Sequence, residues 1–311
     1  MKRLTCHIVV GKFEFSFVNN IEIQSSWKTL TDTALIRLPR NIKWNGNDLR
    51  EEIKKGDEVQ ISLGYDFENN IEFSGFVSEI GANVPVTISC EDRMWQLKQK
   101  KVVKAWKSVS LSEMLSEILP DGVDFDAIAF QIGSFRINNA TPAKVLQSLR
   151  QKYGLVSFFR DNLLYVGFPY SQIQGEERQY DFNKNIISSS LQYVREDDVK
   201  INVRAISIFP DNTKIEKQVG DPDGEVHTLH FFKLSESELQ KSAEEKLTRL
   251  RYAGYKGSFE SFGQPFCQHG DSALLNDKNY PERSGAYLVD EVRTRFGVNG
   301  FRKIIKIGKI A

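Results

Sequence analysis

From Gly56 to Leu97 apolar and polar residues alternate over three successive runs, and that period of two constrains the fold more than any other feature of the chain. In the first run Val59, Ile61 and Leu63 fall on one side and Glu58, Gln60 and Ser62 on the other, the pattern of a half-buried strand. Asp66 and Asn69-Asn70 supply a turn, and Ile71 to Val77 resumes the alternation. Gly81-Ala82-Asn83 breaks it before a third run, Val84 to Cys90, which ends in Glu91-Asp92 and the apolar anchor Met94 to Leu97. Strands joined by short turns form a meander, and three of them with one apolar face are the least that is stable alone. The stretch predicts a small curled sheet or barrel.

The residues before it extend the same pattern. Ile8-Val9-Val10, Phe13, Phe15, Phe17, Ile21 and Ile23 alternate with polar partners, and Asn19-Asn20 marks a turn. Phe13, Phe15 and Phe17 are expected to share one buried strand face. Ala34 to Leu38 closes at Pro39, and Asn45-Gly46-Asn47 reads as a loop, so 1–105 is expected to be a β domain. At its end Lys98, Lys100, Lys101, Lys104 and Lys107 surround Val102, Val103 and Trp106. Basic residues interleaved with an aromatic suit a phosphate backbone, but alternation with Val and Trp reads more simply as a solvated linker strand.

The block 106–168 changes character. Ser110 and Glu113 form a capping-box pattern ahead of Leu111, Met114, Leu115, Ile118 and Leu119 on one helical face. Thr141 caps a second helix with Pro142 at its first position, Val145, Leu146, Leu149 and Tyr153 as its buried stripe, and Gly154 as its left-handed stop. Leu155–Phe159 and Leu163–Gly167 predict a hairpin about Arg160-Asp161-Asn162, completing a small α+β domain. From 169 to 311 β character returns, with Val199, Ile201, Val203 and Ala205 alternating and turns at Asp211-Asn212 and Asp221 to Gly224. One inserted helix is expected at about 235–252, capped by Ser235 and Glu238. The fold class is thus mainly β with α+β: two similar small β-barrel domains and, between them in sequence, a small α+β domain.

Similarity of the two β regions is an internal echo. Gly56-Asp57 opens a strand pair that reaches Ser74-Gly75 and then Phe76 to Ile80; Gly270-Asp271 opens one that reaches Ser284-Gly285 and then Tyr287 to Val292. Gly56, Asp57, Gly75, Gly270, Asp271 and Gly285 are therefore the candidate structural and assembly residues.

Composition excludes several classes. With 311 residues the chain exceeds one small core, and 42 basic against 41 acidic residues leave a net charge of +1, so no specific nucleic-acid binding is expected. Cys6, Cys90 and Cys267 do not read as a disulfide framework. No apolar run nears the roughly 20 residues of a membrane span, and no signal peptide opens the chain, which predicts a soluble, cytosol-made protein without a membrane anchor. P-loop, dinucleotide, G-x-S-x-G and H-E-x-x-H signatures are absent from the sequence. His227, His230, Cys267 and His269 are the best metal-ligand types, but His227 and His230 point to opposite faces of a strand and Cys267 with His269 lack two partners. Glu91-Asp92, Asp197-Asp198 and Asp290-Glu291 are adjacent carboxylates, which point apart in a strand and serve turns elsewhere. No catalytic residue, metal or cofactor is expected.

The order of these motifs resembles a known family. Gly56 to Tyr65, Phe73 to Val77 and Cys90-Glu91-Asp92 are similar to the first barrel of phage tail baseplate hub proteins of the late-control protein D type, related to the hub part of type VI secretion spike proteins. Thr141-Pro142-Ala143 through Tyr153-Gly154-Leu155, with Leu164 to Gly167, resembles their middle domain, and Tyr255 to Phe259, Gly270-Asp271, Tyr280-Pro281, Gly285 and Phe296 to Phe301 their closing barrel. The resemblance implies a homotrimeric, non-enzymatic hub in a phage or prophage tail or a contractile injection system. Two barrels per chain would form a ring of six joining a sixfold tail tube protein to a separate threefold spike protein. Strands near 56–80 and 270–292 are then expected at or close to the contact between chains, with the Lys98–Lys107 segment and the α+β block outside the ring. Assembly is expected in the bacterial cytoplasm, and the finished location in the virion tail baseplate or injection particle. Since the sequence stops at Ala311 after its last strand, no fused needle or lysozyme is expected. The alternatives are a tail-associated carbohydrate-active or peptidoglycan-cleaving enzyme, or a β-rich adhesion module.

Overall fold

The computed structural model describes residues 2–39, 43–44, 47–48, 52–81, 85–169, 175–195, 198–211, 213–251 and 253–310. The expected turn residues Asn45-Gly46, Ala82-Asn83 and Asn212, the strand start at Val84, Asp197 and Ala311 lie outside the described residues. In chain order the elements begin with β1 (Leu4–Val10), β2 (Phe13–Phe15), β3 (Asn20–Ser26), β4 (Thr33–Leu38), β5 (Lys43–Trp44) and β6 (Asn47–Asp48). The meander follows as β7 (Glu58–Tyr65), β8 (Glu68–Gly81) and β9 (Val86–Glu91). Next come β10 (Val102–Ser110), α1 (Leu111–Ile118), β11 (Asp124–Ala127), β12 (Gln131–Ala140), α2 (Pro142–Tyr153), β13 (Val156–Arg160) and β14 (Leu163–Gly167). The remainder is β15 (Glu177–Asp181), β16 (Ile186–Ser189), β17 (Gln192–Val194), β18 (Ile201–Ile208), β19 (Lys214–Gly220) and β20 (Glu225–Phe232). It ends with α3 (Glu236–Leu250), β21 (Gly254–Phe262), β22 (Ser272–Asn276), β23 (Gly285–Gly297) and β24 (Gly300–Ile310).

These elements form two compact units. The first takes Met1–Gln96, Ile173–Leu191 and Gly257–Ala311. Its main sheet runs β16-β21-β24-β23-β3-β4-β9-β8-β7-β1-β2, with β22 and β15 added beside β23. Alternation decides its core: Ile8, Val10, Phe13, Phe15, Ile21, Ile36, Val59, Ile61 and Leu63 are buried, and Phe296 and Phe301 of the last two strands join the same cluster. Phe17 departs from the expected face. β2 ends at Phe15, so Phe17 leaves the alternation and is 53% exposed.

Two separate closed barrels are not what the described strands form. A strand has two edges, and closing the first β region on itself would need the outer edge of β3. That edge pairs instead with β23, Ser26 opposite Glu291 through Asn20 opposite Gly297, so both β regions run into one sheet whose path stays open at β2 and β16.

The second unit takes Leu97–Gln172 and Gln192–Lys256. Ser110 caps α1 through a capping box with Glu113, burying Leu111, Met114, Leu115 and Ile118, while Leu119 is the C-cap residue instead of a member of the buried face. Thr141 accepts from the Lys144 amide at the start of α2, and Gly154 ends it at φ 73°. Ser235 and Glu238 box the start of α3, whose Leu239, Ala243 and Leu250 pack on Val199, Ile201, Val203 and Ala205. β10 pairs antiparallel with β12. Its Lys104 binds Glu117 at 3.0 Å, as does the Trp106 indole at 3.2 Å. β13 and β14 form the expected hairpin, with β11 added in parallel to β14.

Candidate functional site

Gly56 and Asp57 bridge the base of the β7–β8 hairpin. Gly56 N donates to Val77 O at 2.8 Å, Val77 N donates to Asp57 O at 2.9 Å, and the Asp57 carboxylate accepts from Lys54 N at 2.8 Å. Gly270 and Asp271 do the same for β22–β23: Gly270 N to Val289 O at 2.8 Å, Val289 N to Asp271 O at 2.8 Å, and Gln268 N to the Asp271 carboxylate at 3.0 Å. Both glycines take a positive φ, +93° and +84°, which a side chain disfavours. An aspartate after each folds its carboxylate back on the turn.

The likeness continues beyond the bridge. Val77 faces Cys90, and the register slips by one residue before Glu79 faces Ser89; Val289 faces Ile307, and the same slip precedes Glu291 facing Lys306. Ser78 and Asp290 are thus equivalent bulge residues, which bend the strand and strengthen its twist. The same register assigns the other glycines. Gly75 faces Val59 and corresponds to Tyr287, which faces Ala273; Gly285 faces Leu275 and corresponds to Phe73, which faces Ile61. Gly75 and Gly285 therefore stand two positions apart in the repeat, since the sequence match aligned glycine to glycine and not bridge to bridge. A Cβ on Gly75 would lie 2.1 Å from Glu91 O, whereas on Gly285 the nearest atom is 3.5 Å away, on the Tyr287 ring.

Charges mark the lines where the two repeats meet. At the Asp290 bulge the Lys28 ammonium lies 2.6 Å and the Trp27 indole nitrogen 3.0 Å from the carboxylate, and Ser26 Oγ donates to Asp290 O. Beside it His269, buried, sits 2.7 Å from Ser25 Oγ and 3.5 Å from the Asp32 carboxylate. Farther along, Lys303 of β24 donates to Glu72 of β8 at 2.9 Å, with side-chain exposures of 0% and 2%. Burial pushes the Glu72 carboxyl up, and the neighbouring ammonium draws it back down. Lys303 also lies 4.8 Å from the Phe266 ring centroid. Sequence inspection had no signal for this pair: a lysine and a glutamate at ordinary strand positions read as solvated until the sheet order is known.

The other chemical candidates do not converge. Among the described residues no group of three or more His, Cys, Asp or Glu gathers to hold a metal. Burial drives the Cys267 thiol up to about 12, which keeps it protonated and a poor ligand or nucleophile at neutral pH. His230 stacks on Phe168 and is pushed down to about 4, by burial first and then by Lys214 and Arg204. Of the carboxylate pairs, Asp92 accepts from the Met94 and Asp32 amides, and Glu291 pairs with Arg293. Both are occupied structurally. No helix among the described residues is long and apolar enough to cross a membrane.

The comparison that decides the fold is with solved structures. A tail protein from Neisseria meningitidis MC58 superposes with a TM-score of 0.64 at 15% identity, over 98% of this chain and 96% of that one. The fold is that of phage tail proteins. The 43 kDa tail protein of prophage MuSo2 from Shewanella oneidensis gives 0.64 at 12% identity, over 98% of both chains. An E. coli protein described as a component of the type VI secretion system, structurally similar to the T4 bacteriophage tail proteins gp27 and gp5, gives 0.59 at 9% identity over 98% of this chain and 77% of its own. No protein-family model matches the sequence, and no curated protein sequence matches it.

Proposed function

We propose that this chain is a structural hub protein of a phage tail baseplate, of the late-control protein D type, or of a related contractile injection machine. Three copies close into a ring that joins a sixfold tail tube protein to a separate threefold spike protein. The observation that carries this reading is the repeat: one chain holds the same glycine–aspartate bridge and the same strand bulge twice, and joins the two copies through the β3–β23 ladder. A ring of three such chains offers six near-equivalent positions to the tube and three chain-specific ones to the spike, which is what a symmetry adaptor needs. The superposition on tail proteins over nearly the whole chain supports the same role. This reading retains the first and last β regions of the division into 1–105, 106–168 and 169–311 as the ring-forming parts. Gly56, Asp57, Gly270 and Asp271 hold the ring-forming hairpins in shape, and the work of the protein is architectural. Assembly takes place in the bacterial cytoplasm and the product sits in the tail baseplate or injection particle.

Light scattering of the chain, alone and mixed with the cognate spike protein, tests the ring. A mass of three chains is expected; a ring stable unaided would bury more than about 2,000 Å² per contact. A monomer under both conditions would overturn the proposal.

A further inference from the structure

The three-stranded sheet β19-β18-β20 lies wholly in the second unit, and its two outer edges differ in kind. β19 carries Lys214, Glu216 and Lys217, with Glu216 bound to Arg204 and Lys217 to Glu236. Charge of this kind keeps an edge strand from pairing with another chain. β20 holds no Lys, Arg, Asp, Glu or Pro from Val226 to Phe232, and Val226 is 58% exposed.

The direction of the free main-chain groups on β20 follows from the bonds at its two ends. β18 and β20 run parallel; Glu225 N donates to Lys200 O at 3.0 Å and Lys233 N to Ile208 O at 3.1 Å. The odd-numbered residues between them therefore turn both main-chain groups toward β18, because these directions alternate along a strand. Val226, Thr228, His230 and Phe232 turn theirs outward. Among the described residues no strand pairs with that side of β20. A cavity of about 320 Å³ lies along it, lined by Thr228 to Phe231 and, on α3, by Ser242, Glu245 and Lys246.

We propose that this edge pairs with the same edge of a second copy of the chain, antiparallel about a twofold axis. One register brings every outward residue of both chains into hydrogen-bonded pairs. It sets Val226 opposite Phe232 and Thr228 opposite His230, with Leu229 facing its own copy on the axis. Apolar then meets apolar and polar meets polar across the junction. Charge complementarity names the second copy as the occupant, since the same register sets Glu225 of each chain beside Lys233 of the other. Within its own chain Glu225 has only long contacts, 3.7 Å to His227 and 3.9 Å to Lys256. Lys233 is exposed over the Phe232 ring, and no carboxylate among the described residues pairs with it. The contact is strand addition, in which main-chain hydrogen bonds carry the affinity. It is isologous and closes after two chains, so it is distinct from the head-to-tail contacts of the ring and does not rest on that reading. One strand pair buries less than the roughly 1,200 Å² of a lasting interface, so the pairing is transient and must be trapped.

On the axis the two Leu229 residues form a non-hydrogen-bonded pair, with Cα atoms about 4.5 Å apart, inside the span a disulfide bridges. The test is Leu229→Cys, oxidised and run on a non-reducing gel. Cys6, Cys90 and Cys267 are buried and do not compete. Covalent dimers and nothing larger are expected. Val226→Cys is the control. Its site is the more exposed of the two, yet the register holds the two cysteines about 20 Å apart along the strands, so no dimer forms. In the Leu229→Cys background Glu225→Lys and Lys233→Glu should each slow dimer formation several-fold, and the two together should restore it. Equal dimer in Val226→Cys would reduce the contact to chance collision, and charge reversals without effect would remove the register; either overturns the proposal. So do covalent species of three or more chains. A Leu229→Cys chain that keeps the parent melting transition and gives no dimer leaves the edge to a strand of another protein and overturns it as well. If Leu229→Cys loses that transition, Thr228→Cys with His230→Cys replaces it and is read the same way. A mass of three chains in light scattering keeps the ring whatever the gel shows, so the two readings fail separately.

Discussion

The two hairpin bases of the sheet unit share their backbone and not their side chains. Both close with the same pair of main-chain hydrogen bonds, of 2.8 and 2.9 Å at Gly56-Asp57 and 2.8 and 2.8 Å at Gly270-Asp271. Yet Asp57 is half-exposed and serves its own turn, while Asp271 is 1% exposed, accepts a second amide from Glu176 and lies 3.6 Å from Arg178. The repeat is conserved where the backbone demands a residue type, a glycine at positive φ and a turn aspartate. Elsewhere each copy has fitted its side chains to different neighbours. A duplication of this kind is carried by geometry, and its sequence trace shrinks to the few positions that geometry forces.

The sharpest test of that view is the buried pair that crosses between the copies. Removing the ammonium in Lys303→Met strips the buried Glu72 carboxyl of its charge partner, so that it must either stay ionised in a dry site or take up a proton there. Thermal or urea unfolding is expected to show a loss of about 3–5 kcal/mol. Glu72→Leu with Lys303→Met should recover most of it, because two apolar groups replace two charges. The sign of the pH effect follows from the raised Glu72 carboxyl: its contribution is fully present below the unfolded carboxylate range and is lost as pH rises through the raised folded value. Glu72→Gln removes that dependence. A single variant as stable as the parent would show the pair to be solvated and the copies joined by strand pairing alone.

Next in size come the two glycines that the sequence paired wrongly. Gly75→Val drives a side chain into the Glu91 carbonyl, a backbone atom that no rotamer change can move, and should cost about 1–3 kcal/mol or more. Gly285→Val meets only the Tyr287 ring at ordinary contact distance and should stay within about 0.5 kcal/mol. Equal losses in the two variants would restore the glycine-to-glycine correspondence and undo the bridge-to-bridge one.

What the sequence made legible has one physical basis. Period-two alternation marks which side of a strand is buried, so Val59, Ile61 and Leu63 were readable as core. Local hydrogen-bond chemistry marks helix ends, so Ser110, Thr141, Gly154 and Ser235 were readable as caps. Neither signal names a partner strand. The β3–β23 ladder joins residues more than 260 positions apart, and the parallel pairs β18–β20, β11–β14 and β15–β22 leave no turn in the sequence to announce them. For the same reason two β regions read as two barrels when they share one sheet, and Glu72 and Lys303 read as surface charges. Phe17 failed for a smaller reason: alternation continues in the letters for two residues, Ser16 and Phe17, after the strand has stopped.

The smallest difference lies in the aspartates themselves. Asp271→Ala strips the acceptor from Gln268 N and Glu176 N together in a buried place, and each amide left without a partner carries its desolvation penalty. About 1–3 kcal/mol is expected. Asp57→Ala strips the acceptor from Lys54 N alone, in a turn that water can reach, so the amide is rehydrated and the loss should be about 0.5–1 kcal/mol. The main-chain bridge survives in both, since its four donors and acceptors belong to the backbone. Hydrogen exchange at Val77 and Val289 reads this directly: protection at both amides should fall only in proportion to global stability. Selective loss of protection at Val77 in Asp57→Ala would mean that the carboxylate, and not the glycine's backbone, holds the first bridge, and the two copies would then differ in the feature that makes them a repeat.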